Sequence, residues 1–212
     1  EVVAWTQERM ASLEDDIRAV LDAYTKSEPT GLGQWARSIV GIGPVIAAGL
    51  CAHIDITKAP TAGHIWRFAG LDPTQSWNKG EKRPWNADLK VLCWKMGESF
   101  VKVQNHEKDI YGKVYAKRKL QEQERNEAGL FADQAKAKLE RFKIGKDTEA
   151  RKYYEQGKLP PAHIHARAKR YAVKLFLAHW FETAYRRHYG TEPPLPYPVQ
   201  HLGHVHVIPA PI

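Results

Sequence analysis

The string Val40-Gly41-Ile42-Gly43-Pro44 sets two glycines around one aliphatic residue, directly ahead of a proline, between two stretches of helical periodicity. Gly reaches positive φ without steric cost and lets another backbone come close. Pro suits the first turn of a helix, where its missing N–H costs nothing. The string therefore predicts a tight turn from one helix into the next, the second opening at Pro44. Ile42 plugs the turn into the core, and the small Ala47 and Ala48 let the two helices pack closely. The same helical logic runs through the rest of the chain. Trp5, Met10, Leu13, Ile17, Val20, Leu21 and Tyr24 form one apolar stripe over 2–27, and Leu89, Leu92, Cys93, Met96 and Phe100 form another within a helix expected from Asn86 to about Asn126. No alternating strand pattern appears, so the predicted fold is all-α: a helical hairpin core, long charged helices, and a tail rich in Pro and His.

Four regions follow: an N-terminal amphipathic helix over 1–30, the hairpin region over 31–100, a basic helical region over 101–190 and an extended tail over 191–212. Gly129 and Gly145 punctuate the charged helices, Asp147 is expected to cap a short helix ending near Gly157, and Gly190 ends a helix that starts near Ala162. A chain of 212 residues that is 43% hydrophobic and 26% charged can bury a core and is not disordered throughout. It has no apolar run long enough for a transmembrane helix, so no membrane partner is expected. The acidic, amphipathic N-terminus does not read as a signal peptide, and without an initiator Met the chain is expected to be a fragment or a processed product. Cys51 and Cys93 lack metal or disulfide spacing, which fits a cytoplasmic location.

The net charge is +8, and it is unevenly placed: residues 101–175 hold 19 Lys and Arg against 10 Asp and Glu. Such a concentration suits a surface that meets a polyanion, although a solvated, salt-bridged helical face has the same composition. The Gly-Ile-Gly-Pro turn supplies a place for the polyanion's phosphate. Backbone amides at a helix start point outward, and the helix dipole adds positive charge there. This is the form of a helix-hairpin-helix DNA-binding motif, with Gly41, Ile42, Gly43 and Val45 at the phosphate and Arg37, Lys58 and Arg67 flanking it. Phosphate contacts position DNA without reading sequence. Lys79, Lys82 and Arg83 alternate with Trp77 and Trp85, a mixture that could stack a base and grip its phosphates, whereas Trp66 and Trp94 are expected to anchor the core. Lys117, Arg118 and Lys119 represent a second basic surface. His201, His204 and His206 lack a carboxylate or Cys beside them, and no metal site is assigned.

The hairpin string, followed by Asp55-Ile56-Thr57 and by Ala69-Gly70-Leu71-Asp72-Pro73, resembles the C-terminal transposase region of the IS110/IS116/IS902 family. In that family a loop containing Ser-Gly comes next, then a G-N-x-x-L-R segment opening a helix. Ser76-Trp77 and Trp85-Asn86-Ala87-Asp88-Leu89-Lys90 stand at those places here. The helix from Ala166 to Phe176 is similar to the family's closing helix. The resemblance implies DNA as partner, a role in recombination or transposition on a mobile element, phage or plasmid, and Ser76 as the nucleophile candidate. It also implies an acidic, RuvC-like metal domain, which Asp15 and Asp16, on a helix, do not supply. No cofactor is assigned to this chain; a divalent metal belongs only to the alternative reading, an active serine-dependent recombinase whose acidic domain lies elsewhere. Ser76 has no general base near it in sequence and is expected to be inactive in the isolated chain. A third reading is an interaction protein using its basic helices, and a homo-oligomer is compatible with all three.

Overall fold

The computed structural model describes residues 1–194 and 208–211. Among the described residues the chain forms nine α-helices and no strand: α1 (Val2–Ser27), α2 (Leu32–Ser38), α3 (Pro44–His53), α4 (Ala62–Phe68), α5 (Ala87–Val103), α6 (Tyr111–Glu127), α7 (Ala132–Arg141), α8 (Glu149–Glu155) and α9 (Pro161–Tyr189), with one 3₁₀ turn at Ile56–Lys58. The all-α expectation holds.

The helix α9 is the axis of the molecule. It opens on Pro161, where proline is tolerated, and closes on Gly190, whose φ of 67° is left-handed and whose N–H donates to the Arg186 carbonyl. Between these ends it packs on α2, α4, α5 and α6. Ala168, Ala172, Val173, Phe176, Leu177 and Trp180 are buried along it. Ala at three- and four-residue steps lets neighbours approach closely, and aromatics fill the spaces between. Trp35 from α2 stacks on Phe176 with centroids 5.7 Å apart, and Phe100 from α5 stacks on Tyr111 from α6 at 5.0 Å. One core thus joins the hairpin region to the basic region, with buried members from Leu32 to Ala184. A second, smaller cluster of Phe131, Leu159 and Ile164 seats α7 and α8. There the Asn126 carboxamide clamps Leu159, donating to its carbonyl at 2.9 Å and accepting from its N–H at 2.8 Å.

Several elements differ from the sequence reading. The single helix expected over 86–126 is two, α5 and α6, parted by a turn over 104–110. The cause is Asp109, a buried residue whose carboxylate accepts from the N–H groups of Gly112 and Lys113 at 3.0 and 2.7 Å and so caps α6. Thr148, not Asp147, caps α8, through its hydroxyl to the Arg151 N–H. Trp94, expected in the core, is 62% exposed on α5. The α1 stripe is also open to solvent along most of its length. Of the tail, residues 195–207, including His201, His204 and His206, lie outside the described residues. Beyond them the Pro211 carbonyl accepts from Trp35 Nε1 at 2.9 Å, so the described end touches the body.

Candidate nucleic-acid interface

The α2–α3 turn is built as its composition predicts, with one change. Ile39 ends α2 with its N–H on the Ala36 carbonyl, and the Ile42 N–H donates back to the Ile39 carbonyl at 3.0 Å. Ile42 is buried. Gly41 carries the positive φ, 93°. Its carbonyl accepts from the Ser99 hydroxyl at 2.5 Å, fixing the turn on α5. A Cβ at Gly41 would stand 3.1 Å from Val103 Cγ2. Gly43 is different. Its φ is −86°, open to any residue, and a Cβ there would meet nothing within 4 Å. No feature inside the chain requires glycine at 43.

The Ile42 amide is closed within the turn and is not free for a phosphate, contrary to the sequence reading. The N–H groups of Gly43, Val45 and Ile46 have no acceptor among the described residues. They sit at the positive end of α3, and the first intrahelical bond begins at the Ala47 N–H on the Gly43 carbonyl. Arg37 does not flank this site as a free cation. Its guanidinium donates to the Ile42 carbonyl at 3.0 Å and to Asp22 of α1 at 3.0 Å, bracing the turn from behind. Lys26 and then Arg37 hold the Asp22 carboxyl below its usual range. Lys58 is exposed and pairs with Asp55 at 3.2 Å. Arg67, on α4, is met by the Gln75 carboxamide, which accepts from its Nε at 3.1 Å.

The loop between α4 and α5 forms a second group. Gly70, at φ 65°, lets Trp85 close over it; a Cβ there would lie 2.8 Å from the Trp85 ring. Trp77 meets Trp85 edge to face at 6.2 Å, Arg83 lies over Trp77 at 5.1 Å, and Lys90 Nζ lies over Trp85 at 4.0 Å. Asn86 caps α5, its side chain accepting from the Leu89 N–H at 2.8 Å. Ser76 is exposed in the loop, and no described side chain hydrogen-bonds its hydroxyl.

Sequence reasoning missed the loop's neighbours on α5 and α9. Lys90, Arg170 and Lys174 form no ion pair among the described residues, and neither do Lys79, Lys82 and Arg83. Burial, then Arg83 and Arg170, pushes the Lys90 ammonium below its ordinary range. Burial does the same to Lys174, whose Nζ rests 4.2 Å from the centre of the Trp66 ring. Asp72 stands near Lys174, but Lys90, Arg83 and Arg170 crowd together with no carboxylate paired to them, and such a group favours an anion from outside. The sequence signal was faint, because these residues come from three elements.

The second basic surface divides on inspection. Lys117 is exposed, Lys119 lies 6.0 Å from the Tyr115 ring, and Arg118 turns inward to the buried carboxylate of Glu122. Arg167 reaches the same carboxylate at 2.7 Å and Arg125 at 3.8 Å. Part of the basic excess therefore ties α6 to α9. Among the described residues no three His, Cys, Asp or Glu side chains gather as a metal site, and no helix is long and apolar enough to cross a membrane. Cys51 and Cys93 are free, with burial raising their thiols to about 11 and about 12.

Searches of curated proteins and of solved structures return no match. The segment that runs from within α2 through the glycine turn, α3, α4 and the aromatic loop as far as Arg83, residues 34–83, matches the model of the Transposase IS116/IS110/IS902 family.

Proposed function

We propose that the chain is a DNA-binding module of transposase descent, acting in DNA recombination or transposition, and that its α2–α3 turn works as a helix-hairpin-helix phosphate clamp. The observation that carries this reading is Gly43. Its conformation and its surroundings both admit a side chain, yet it is glycine, and its own N–H and those of Val45 and Ile46 stand unclaimed at the start of α3. A surface left bare at that point suits close approach by a phosphodiester backbone. Arg83, Lys90 and Arg170, which hold no ion pair among the described residues, extend the positive surface, with Trp77 and Trp85 available for stacking.

The test is Gly43→Asp. Asp is a favoured N-cap residue, so α3 keeps or gains stability, while its carboxylate faces the phosphate. Duplex and branched DNA affinity, read by fluorescence anisotropy, should fall more than tenfold while the circular dichroism spectrum and melting temperature hold. A variant that folds and binds like the wild type refutes the clamp.

One observation favours a second reading, a serine-dependent recombinase: Ser76 is exposed within the matched segment, in a loop with Lys79, Lys82 and Arg83. Attack on a phosphodiester needs the hydroxyl proton removed, and lysines stabilise charge without removing it. A divalent metal would enter only with that chemistry. Labelled nicked or branched DNA incubated with the chain and a divalent metal should yield no denaturation-resistant adduct. An adduct lost in Ser76→Ala would establish the recombinase reading instead.

A further inference from the structure

The outward face of α5 joins the glycine turn to the aromatic loop. Lys90, Trp94, Glu98 and Lys102 follow one another at four-residue steps, with Val91 and Lys95 beside them. Such steps keep side chains on one side of a helix. At one end Lys90 belongs to the cations of the aromatic loop. At the other, the Ser99 hydroxyl donates to the Gly41 carbonyl at 2.5 Å and ties the face to the turn. The helix rises about 13.5 Å between these two points. Trp94 stands midway, 62% exposed, beside a cleft of about 340 Å³ lined by Trp94, Lys95, Glu98, Ser99 and Lys102.

The cleft is positive. Lys169 of α9 pairs with the Glu98 carboxylate and holds its carboxyl below the usual range, and Lys169 Nζ lies 6.0 Å from the centre of the Trp94 ring. Lys95 and Lys102 are exposed and form no ion pair among the described residues. An open aromatic face among ammonium groups, with its one carboxylate neutralised, suits an anion that carries a flat apolar ring. A nucleotide is such a ligand. Continuous duplex keeps its base faces stacked inside, so only an unpaired base can offer a face to Trp94.

We propose that Trp94 stacks an unpaired base of a DNA strand crossing α5 between the glycine turn and the aromatic loop, with Lys95 and Lys102 on that strand's phosphates. The stacking site presupposes DNA at the phosphate clamp, and it selects the kind of DNA held there: a bulge, a branch or a single-stranded end. An apolar protein segment suits the face less well, because it would cover Lys95 and Lys102 without compensating their charge.

The test compares two DNA probes of one sequence, a continuous duplex and the same duplex with one unpaired 2-aminopurine, whose emission falls when its ring stacks. The wild type should bind the bulged probe about tenfold more tightly and quench its emission. Trp94→Ala should lose both the preference and the quenching, while duplex affinity and melting temperature hold, and Trp94→Phe should retain quenching. Lys95→Gln with Lys102→Gln should lower the salt slope on a single-stranded oligonucleotide by up to about 1.4. Gly43→Asp should weaken both probes alike. If it weakens neither while Trp94→Ala still abolishes the preference, the clamp fails and the stacking site stands. Equal wild-type affinity for the two probes would leave the face to a protein partner and overturns the proposal. A preference that survives Trp94→Ala and disappears in Trp77→Ala overturns it too, by giving the base to the aromatic loop.

Discussion

Gly41 and Gly43 stand two residues apart and are glycine for different reasons. Gly41 answers to the fold: its φ is 93°, its carbonyl is held by Ser99, and Val103 closes the space where a Cβ would go. Gly41→Ala should therefore destabilise the chain by about 1–2 kcal/mol from the left-handed conformation alone, with more from the Val103 contact. Gly43→Ala meets no atom and no forbidden angle, so its unfolding free energy should stay within about 0.5 kcal/mol of the wild type. Urea unfolding of the two variants checks the contrast; equal losses would show that Gly43 also serves the fold. From sequence both glycines read as turn residues of positive φ. Spacing alone could not separate them, because φ at each depends on where the turn lands against α5.

Among the elements, α6 and α9 carry most of the buried polar chemistry. The Tyr111 hydroxyl meets His179 Nδ1 at 2.7 Å, and His179 Nε2 lies 2.8 Å from the Ile208 carbonyl. A carbonyl only accepts, so Nε2 carries the proton, and neutral Nδ1 accepts from Tyr111. Burial lowers the His179 pKa, and burial with nearby cations lowers those of His163 and His165. A histidine held below its unfolded value is protonated first in the unfolded chain. Its stabilisation is complete above about pH 6.5 and is lost as pH falls from there toward the lower folded value. Unfolding free energy measured between neutral and acidic pH should decline over that window, and His179→Gln should flatten the decline; an unchanged slope would exclude His179 as its source. Glu122 works in the opposite charge sense. Burial opposes its ionisation, yet Arg167 and Arg118 hold its carboxyl below the usual range. Glu122→Gln would leave three guanidinium groups facing a neutral amide and should cost about 3 kcal/mol by urea unfolding. The helices themselves were legible from their periodicity, caps and glycines. The break between α5 and α6 was not, because Asp109 acts through burial and two backbone bonds while the apolar pattern runs on past it. Trp94 and the α1 stripe misled in the same way: apolar spacing marks a face that needs a partner, and does not say whether the partner lies in the same chain.

For the whole molecule, the question is which charges remain available to a polyanion. The excess over 101–175 suggested one broad basic face. The fold divides it. Arg118, Arg125 and Arg167 converge on Glu122, Lys169 pairs with Glu98, Lys158 with Glu127 at 2.5 Å, and Arg151 with Glu155 at 2.6 Å. These cations already have carboxylate partners, and contacting phosphate would mean giving those up. The cations over the aromatic loop have no such partner: Arg83 on Trp77, Lys90 on Trp85, Arg170 near them, and Lys174 on Trp66. Each Lys or Arg that neutralises a duplex phosphate contributes about 0.9 to the slope of log affinity against log salt. Replacing Arg83, Lys90 and Arg170 together by Gln should therefore lower the magnitude of that slope by up to about 3. Replacing Lys117 and Lys119 by Gln gauges the α6 face separately, at up to about 2 if both touch DNA. These five side chains hold no ion pair in the fold, so neither variant sacrifices a structural bridge, and melting temperatures should hold. A slope that falls only in the first variant places the DNA over α4, α5 and α9, on the side of the aromatic loop. A slope that falls only in the second moves it to α6, and the crowding of Lys90 with Arg83 and Arg170 would then need another anion to explain it.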